Sequence, residues 1–169
     1  MNRLSATLCA GALSLGLAAC GEGTNPAADD TGSLVLDNGM SVRANIEARQ
    51  ENLKEMGAAM KTISDQLKLE EPDVDAIYAA AQTIEGHAPN IGEWFPAGTG
   101  PDSGVETEAL ATIWEQPDDF AAAVARFQTA ADEFEAIAVG RDPAAIGPAM
   151  GGIGGSCKNC HDQFRLDDG

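Results

Sequence analysis

The residues best suited to chemistry lie close to the C-terminus, in the run Cys157-Lys158-Asn159-Cys160-His161. Two thiols three residues apart fall on the same side of one helical turn, so both can form thioethers with the vinyl groups of a single haem. The histidine that directly follows the second cysteine can then place its imidazole on the iron. The sequence therefore predicts one covalently bound haem c, attached through Cys157 and Cys160 and ligated by His161.

Two other uses of paired cysteines compete with this interpretation. A structural zinc site takes about four ligands. If Cys9 leaves with a predicted leader and Cys20 carries lipid, the chain offers these two cysteines, with His161 and His87 as its two histidines. A thioredoxin-like dithiol lies at a helix start beside a strand, and the sequence predicts no strand. Haem is therefore favoured over both alternatives.

Apolar residues recur at helical spacing in four segments, which predicts four amphipathic helices. The first begins at Val42, the second begins near Pro72-Asp73 and ends at Pro89, the third contains Phe120 to Ala138, and the fourth contains Ile146 to Phe164. A Gly- and Pro-rich segment separates the second helix from the third. The expected fold is all-α, an antiparallel four-helix bundle over residues 41–169 with a C-terminal haem-attachment helix.

The predicted fourth helix is rich in glycine, with Gly147, Gly151, Gly152, Gly154 and Gly155. Each glycine in a helix interior costs about 1 kcal/mol relative to alanine. We therefore expect a large group, such as the edge of a haem, to lie close to this backbone.

The N-terminus predicts export. Arg3, an apolar run from Ala6 to Leu17 and small residues after it form a signal-peptide pattern over residues 1–19. The sequence Leu17-Ala18-Ala19-Cys20 is similar to the lipobox of bacterial lipoproteins, which predicts a lipid-modified Cys20 and attachment to a membrane, the outer membrane being favoured. Residues 20–40 are predicted to be a flexible tether, although Leu34, Val35 and Leu36 could dock on the bundle.

The composition is strongly acidic, with 27 acidic against 10 basic residues. Such a chain would repel nucleic acid, which excludes that class of partner. The acidic surface would suit a basic redox partner protein, or it could serve solubility alone.

Three stretches besides the haem motif are similar to one known family: Arg49-Gln50 with Leu53 and Met56-Gly57, then Trp94 to Thr99 with Ala111 to Trp114, and finally Phe164-Arg165. With a C-terminal haem motif and four helices, the chain resembles the class II cytochromes c, meaning cytochrome c′ and its low-spin relatives of the cytochrome c-556 type. The resemblance covers residues 41–169.

The resemblance implies which residues surround the haem. It places Arg49 and Leu53 of the first helix in the binding site, with Leu53 over the distal face of the iron. A leucine there implies a five-coordinate iron, whereas Met56 on the same stripe is an alternative distal ligand, and His87 is a remote one. Trp94 could line the pocket or pack between helices.

Arg165 matches a basic residue beside the proximal ligand in this family. There it would hydrogen-bond a haem propionate or lie next to a gas bound on the proximal side. Its other interpretation is a surface charge in the last turn of a helix, where a cation is favourable in any case.

The function predicted for the chain is one-electron transfer in the periplasm, with an NO- or CO-binding module as the alternative. An enzyme such as a peroxidase is disfavoured, because peroxide cleavage needs a distal acid–base pair and the first helix has no histidine. The resemblance also implies a homodimer formed through the first two helices.

Overall fold

The computed structural model describes residues 31–166, which form an α-helical bundle without β-strands. The helices are α1 (Val42–Gln66), α2 (Val74–His87), the four-residue α3 (Thr112–Glu115), α4 (Pro117–Ala138) and α5 (Pro143–Phe164). Short 3₁₀ helices cover Thr31–Ser33, Ala88–Trp94 and Pro101–Ser103. Helix α1 packs on α2, α4 packs on α5, and α2 joins the two pairs by packing on α4. This arrangement confirms the predicted four-helix bundle, formed by α1, α2, α4 and α5.

Three of the long helices begin at a side-chain cap that their sequence supplies. The Ser41 hydroxyl accepts a hydrogen bond from Ala44 N at 3.1 Å, and Asp73 Oδ1 accepts from Asp75 N and Ala76 N. Asp142 Oδ1 accepts from Ala144 N at 3.0 Å. These bonds satisfy backbone N–H groups that the first helical turn leaves without partners. The caps explain why the boundaries could be predicted closely from sequence.

The core lies where the apolar stripes of the four long helices meet. Its fully buried members include Ile63, Ile77, Phe134, Ile146 and Ile153. The small residues Ala81, Ala131 and Ala138 are also buried and let the helices approach closely, as the high alanine content of the chain permits. One continuous core therefore holds both helix pairs together.

The two ends of the bundle are built differently. At one end, which we call the turn end, short connections at residues 67–73 and 139–142 join α1 to α2 and α4 to α5. At the other, the cavity end, residues 88–116 form a long connection between α2 and α4, and the start of α1 and the end of α5 lie beside it. The long irregular segment expected from sequence thus holds three short helical pieces.

The first described residues fold back on α1. Val35 forms an isolated antiparallel bridge with Ser41, and Val42 N donates to Leu34 O at 2.8 Å. Leu36 packs on Val42, while Leu34 and Val35 stay exposed. Of the three apolar residues that could dock on the bundle, Leu36 does so. The expected signal peptide, Cys20 and most of the expected tether lie outside the described residues.

The glycines of α5 have no close protein neighbour that would exclude a side chain. A Cβ atom added at Gly147, Gly151, Gly152, Gly154 or Gly155 would have no non-local atom within 4 Å. Four of the five are exposed, and none lines the cavity described below. No protein atom therefore accounts for the glycines of α5, and their contact with a large bound group stays a prediction. Within residues 31–166, no helix has the length and apolarity needed to cross a membrane.

Candidate functional site

Cys157, Cys160 and His161 lie together on the wall of a cavity of about 910 Å³. The two cysteines are half-buried, and His161 is exposed on the open side of the cavity. All three are on α5, where helical geometry places positions 157, 160 and 161 on one face. Cofactor sites are typically about 300–1,000 Å³, so the cavity has the size of a large one. The structure brings together the three residues that the motif singled out.

The protonation of these groups follows from their burial. Burial raises the pKa of the Cys157 thiol, and the neighbouring Cys160 raises it further. Burial also raises the pKa of Cys160, against an opposing influence from Arg126. Partial burial lowers the pKa of His161, and the charge of Arg165 adds to that effect. Although Asp162 and Glu108 oppose this shift, the lowered pKa favours the neutral imidazole, which is the form that binds a metal.

Lys158 and Asn159, between the two cysteines, lie outside the cavity. Their side chains make contacts that hold this part of α5 in place. The Lys158 ammonium forms an ion pair with Asp162, one turn further along α5. Asn159 Oδ1 accepts hydrogen bonds from Gln163 Nε2 at 3.0 Å and from Arg126 of α4 at 3.4 Å. The polar side chains of the motif thus face α4 and solvent, which leaves its thiols and imidazole on the cavity side.

The rest of the wall is mainly apolar and comes from every long helix and from the long connection. Its apolar members are Leu53, Met56, Met60, Ile84, Ile91, Phe95, Ala109, Ile113, Phe120, Phe127 and Phe164. Phe120 lies between two other rings, with centroid distances of 5.0 Å to Phe95 and 5.3 Å to Phe164. A cavity with such walls would bury a flat apolar ring on both faces.

Helix α1 presents three side chains of special interest to this cavity. Leu53 is 36% exposed and lines the cavity at its edge, whereas Met56 is buried deeper in the wall. Met60, one turn after Met56, also lines the cavity. The sequence analysis singled out the first two and overlooked Met60 as a site residue, although its position at i+4 from Met56 places it on the same helix face.

Arg49 is the most completely buried charged side chain among the described residues, at 2% exposure. Its guanidinium donates to Thr99 Oγ1 and Thr99 O, both at 3.1 Å, and to Thr107 Oγ1 at 2.8 Å. It also lies over the Phe95 ring, 4.6 Å from the centroid. Burial lowers the pKa of Arg49 to about 10. Within residues 31–166 the guanidinium has no ion-pair partner, so its positive charge faces the cavity with neutral partners only.

Neither tryptophan lines the cavity. The Trp94 ring contacts His87 edge-on at 5.7 Å between centroids, and Trp114 Nε1 donates to Phe95 O at 3.1 Å. Trp94 instead packs against the core, as the second of its two expected placements has it, while its neighbour Phe95 lines the cavity. His87 does not line the cavity either, and its Nε2 lies 2.9 Å from Glu55 Oε2. It is not in a position to ligate an iron bound in the cavity.

Arg165 lines the cavity on the same side as His161. Its Nε donates to Glu108 Oε2 at 2.6 Å, so the side chain is part of an ion pair at the cavity mouth. Glu108 was not identified from sequence, since nothing in its local pattern separates it from the other exposed acidic residues. Gln50, Lys54 and Glu106 complete the polar rim.

The donor set excludes a conventional zinc site within the part of the chain that the structure describes. Between residues 31 and 166, no three or more His, Cys, Asp and Glu side chains are arranged so that together they could hold a metal ion. Two thiols followed by an imidazole on one helix face, opposite an apolar wall, fit a covalently attached haem instead.

Comparison with known proteins agrees with this geometry. The sequence model of the Cytochrome C′ family matches residues 44–165. Cytochrome c-556 of Agrobacterium tumefaciens (strain B2A) is 38% identical over 122 residues, which cover 72% of this chain and 96% of the relative. Cytochrome c′ of Pararhodospirillum photometricum is 33% identical over 126 residues, covering 74% and 98% respectively.

The solved structures lead to the same family. A cytochrome c′ described as having ligand-controlled dimer dissociation superimposes with a TM-score of 0.72 at 27% identity, covering 76% of this chain and 99% of the other. The family match over residues 44–165 takes in α5 with its two thiols. The chain belongs to the cytochrome c′ family of haem proteins.

Proposed function

We propose that the protein is an exported one-electron carrier with one haem c, bonded to Cys157 and Cys160 and ligated by His161. The observation that carries the proposal is that both thiols and the His161 imidazole line a single, mainly apolar cavity. When bound there, the haem supplies an iron that alternates between two oxidation states. The chain supplies burial of the ring, the axial ligand and the local charge, which together set the reduction potential.

Arg49 is proposed to compensate the negative charge of the haem propionates. A buried cation without an anionic partner is costly, and the four hydrogen-bond acceptors around this guanidinium are all neutral. A carboxylate from a ligand in the cavity would lower that cost. The same positive charge would destabilise ferric iron relative to ferrous iron, and so would raise the reduction potential of the haem.

The acidic surface supports a basic protein as the redox partner. With 27 acidic and 10 basic residues, the chain attracts positively charged surfaces and steers their approach. We further propose a periplasmic location with a lipid anchor at Cys20. A homodimer is also proposed, because a relative with the same fold is described as a dimer whose dissociation is controlled by a ligand.

A second function, binding of NO or CO, is favoured by one observation. Leu53 lies on the cavity wall, and its side chain has no atom that can donate to iron. If Leu53 covers the iron on the side opposite His161, the sixth position stays open to a small gas. Met56 and Met60 are the competing groups, since either thioether would close that position.

Optical spectroscopy of the purified holoprotein with Leu53→Met and Leu53→Ile tests this arrangement. We expect Leu53→Met to move the ferric iron toward a low-spin spectrum with a methionine–iron band, because the new thioether can reach the metal. Leu53→Ile is the matched control, since it changes shape without adding a donor. A wild-type spectrum that is already low-spin with the methionine band would favour the carrier with Met56 or Met60 as ligand. Identical spectra for Leu53→Met and wild type would contradict the placement of Leu53.

A further inference from the structure

The residues that precede α1 form a small hairpin against its first turn. Next to the isolated bridge described above, Leu36 N donates to Met40 O at 2.8 Å. Gly39 has a φ of 81°, the left-handed conformation that closes a three-residue hairpin loop and that glycine adopts without strain. We call residues 34–42 the N-terminal hairpin. It comes before residues 44–165, the part of the chain that matches the family.

One side chain of the N-terminal hairpin joins a second apolar cluster, which is separate from the main core. Leu36 packs against Val42, Ile46 and Val105, none of which is more than 8% exposed. Val42 and Ile46 belong to the start of α1, whereas Val105 belongs to the long connection. Leu36 therefore covers the place where the connection meets α1. Leu34, two residues earlier, is 61% exposed and lies outside this cluster.

Val105 directly precedes a stretch of the connection that forms part of the cavity wall. The next four residues, 106–109, all line the cavity. Among them, Thr107 Oγ1 accepts a hydrogen bond from Arg49 at 2.8 Å. Because Val105 is two residues from Thr107, a shift of Val105 would also move a partner of the buried guanidinium.

We propose that Leu36 is a positioning residue, which acts through Val105 and Thr107 to keep Arg49 shielded from water at the cavity wall. Its apolar contact holds the connection closed on α1. A charge that is shielded from water acts more strongly on its surroundings, and Arg49 is the cation that would destabilise ferric iron. The inference rests on the haem and on the role of Arg49 proposed above. It adds a residue that lies outside the cavity to those that set the reduction potential.

The N-terminal hairpin itself offers a matched control. Leu36→Ala and Leu34→Ala make the same chemical change two residues apart, but only Leu36→Ala removes a contact with the connection. Val105→Ala removes the other side of that contact. If Leu36 acts through Val105, the effects of Leu36→Ala and Val105→Ala should be less than additive.

The first measurement is amide hydrogen exchange of the holoprotein at Val105 and Ala109. Both N–H groups are hydrogen-bonded in the structure, to Ser103 Oγ and Thr107 Oγ1 respectively, each at 3.2 Å. We expect Leu36→Ala to speed exchange at these amides by about fivefold to thirtyfold, the range that follows from losing part of the burial of one leucine. Leu34→Ala should leave both rates unchanged.

The reduction potential gives a readout that a purely structural role would not move. We expect Leu36→Ala to lower the potential relative to both the wild type and Leu34→Ala, because a hydrated Arg49 destabilises ferric iron less. Equal potentials for the two leucine variants would overturn the inference, and so would faster exchange in Leu36→Ala without a change in potential. Protein that carries no haem would refute the proposed function instead, so the two failures are distinguishable.

Discussion

Different kinds of contact stabilise the two ends of the bundle. At the turn end, apart from the exposed Arg141–Asp75 ion pair, the polar contacts are local in sequence. Lys61 and Lys68 both pair with Asp65, and Asp73 N donates to Gln66 Oε1 at 2.9 Å. At the cavity end, Arg49 binds Thr99 and Thr107, which are about 50 residues away in the chain. The local contacts at the turn end are exposed, whereas Arg49 and Thr99 at the cavity end are buried.

This difference shows how a bundle can hold a cofactor. Short turns bring neighbouring helices together with little loss of loop-closure entropy, and they leave a continuous core. At the cavity end, the long connection keeps the helix faces apart and is fixed by one buried guanidinium. Arg49 thus fastens the connection to α1 and also brings a positive charge to the cavity wall.

The largest effect on stability should come from Arg49 at the cavity end, and Arg141 at the turn end provides the comparison. We expect Arg49→Leu to lower the free energy of unfolding by about 3–5 kcal/mol, because it strands buried acceptors of Thr99 and removes a buried side chain. Arg141→Leu, at the turn end, should cost at most about 1 kcal/mol, since its ion pair is exposed. Denaturant unfolding of the holoprotein measures both, and equal losses would refute the contrast between the ends.

Substitutions at two isoleucines of α2 distinguish the effect of core packing on stability from the effect of contact with the cofactor. Ile77 and Ile84 are both fully buried, but only Ile84 lines the cavity. Each substitution by alanine should cost about 2–5 kcal/mol, since it removes the same buried atoms. Only Ile84→Ala should also shift the optical spectrum of the haem. A spectral shift in Ile77→Ala of the same size would show that the cavity is not confined to its end of the bundle.

The smallest expected changes in stability come from substitutions at two glycines. A Cβ at Gly100 would lie 2.9 Å from Cζ3 of Trp114, so Gly100→Ala should destabilise the cavity end by about 1–3 kcal/mol. A Cβ at Gly151 of α5 would meet open space, so Gly151→Ala should stabilise the protein by up to about 1 kcal/mol. Thermal unfolding would report both signs. Stabilisation by Gly100→Ala would mean that Trp114 can move away from the connection.

The turn end could be predicted almost completely from sequence. Asp73 and Asp142 there are caps whose effect is local, as is that of Ser41 at the opposite end of α1. The apolar spacing of α1 and α5 indicates the buried face directly. The haem motif is equally local, because Cys157, Cys160 and His161 belong to one helical face.

The cavity end was predicted only in part, because its contacts join distant segments. No local pattern indicates that Phe95 rather than Trp94 turns toward the cavity, or that Glu108 meets Arg165. The family resemblance placed Arg49 in the site, but its burial among neutral acceptors depends on the path of the connection. Met60 could have been found from its spacing to Met56 alone.

The most direct test of the account is the intact mass of the protein, purified from a host that matures c-type cytochromes, beside that of a Cys157→Ala/Cys160→Ala variant. The account predicts that denatured wild-type protein carries the added mass of one haem, and that the variant carries none. Wild-type protein that is soluble and helical but has no added porphyrin mass would contradict the central claim.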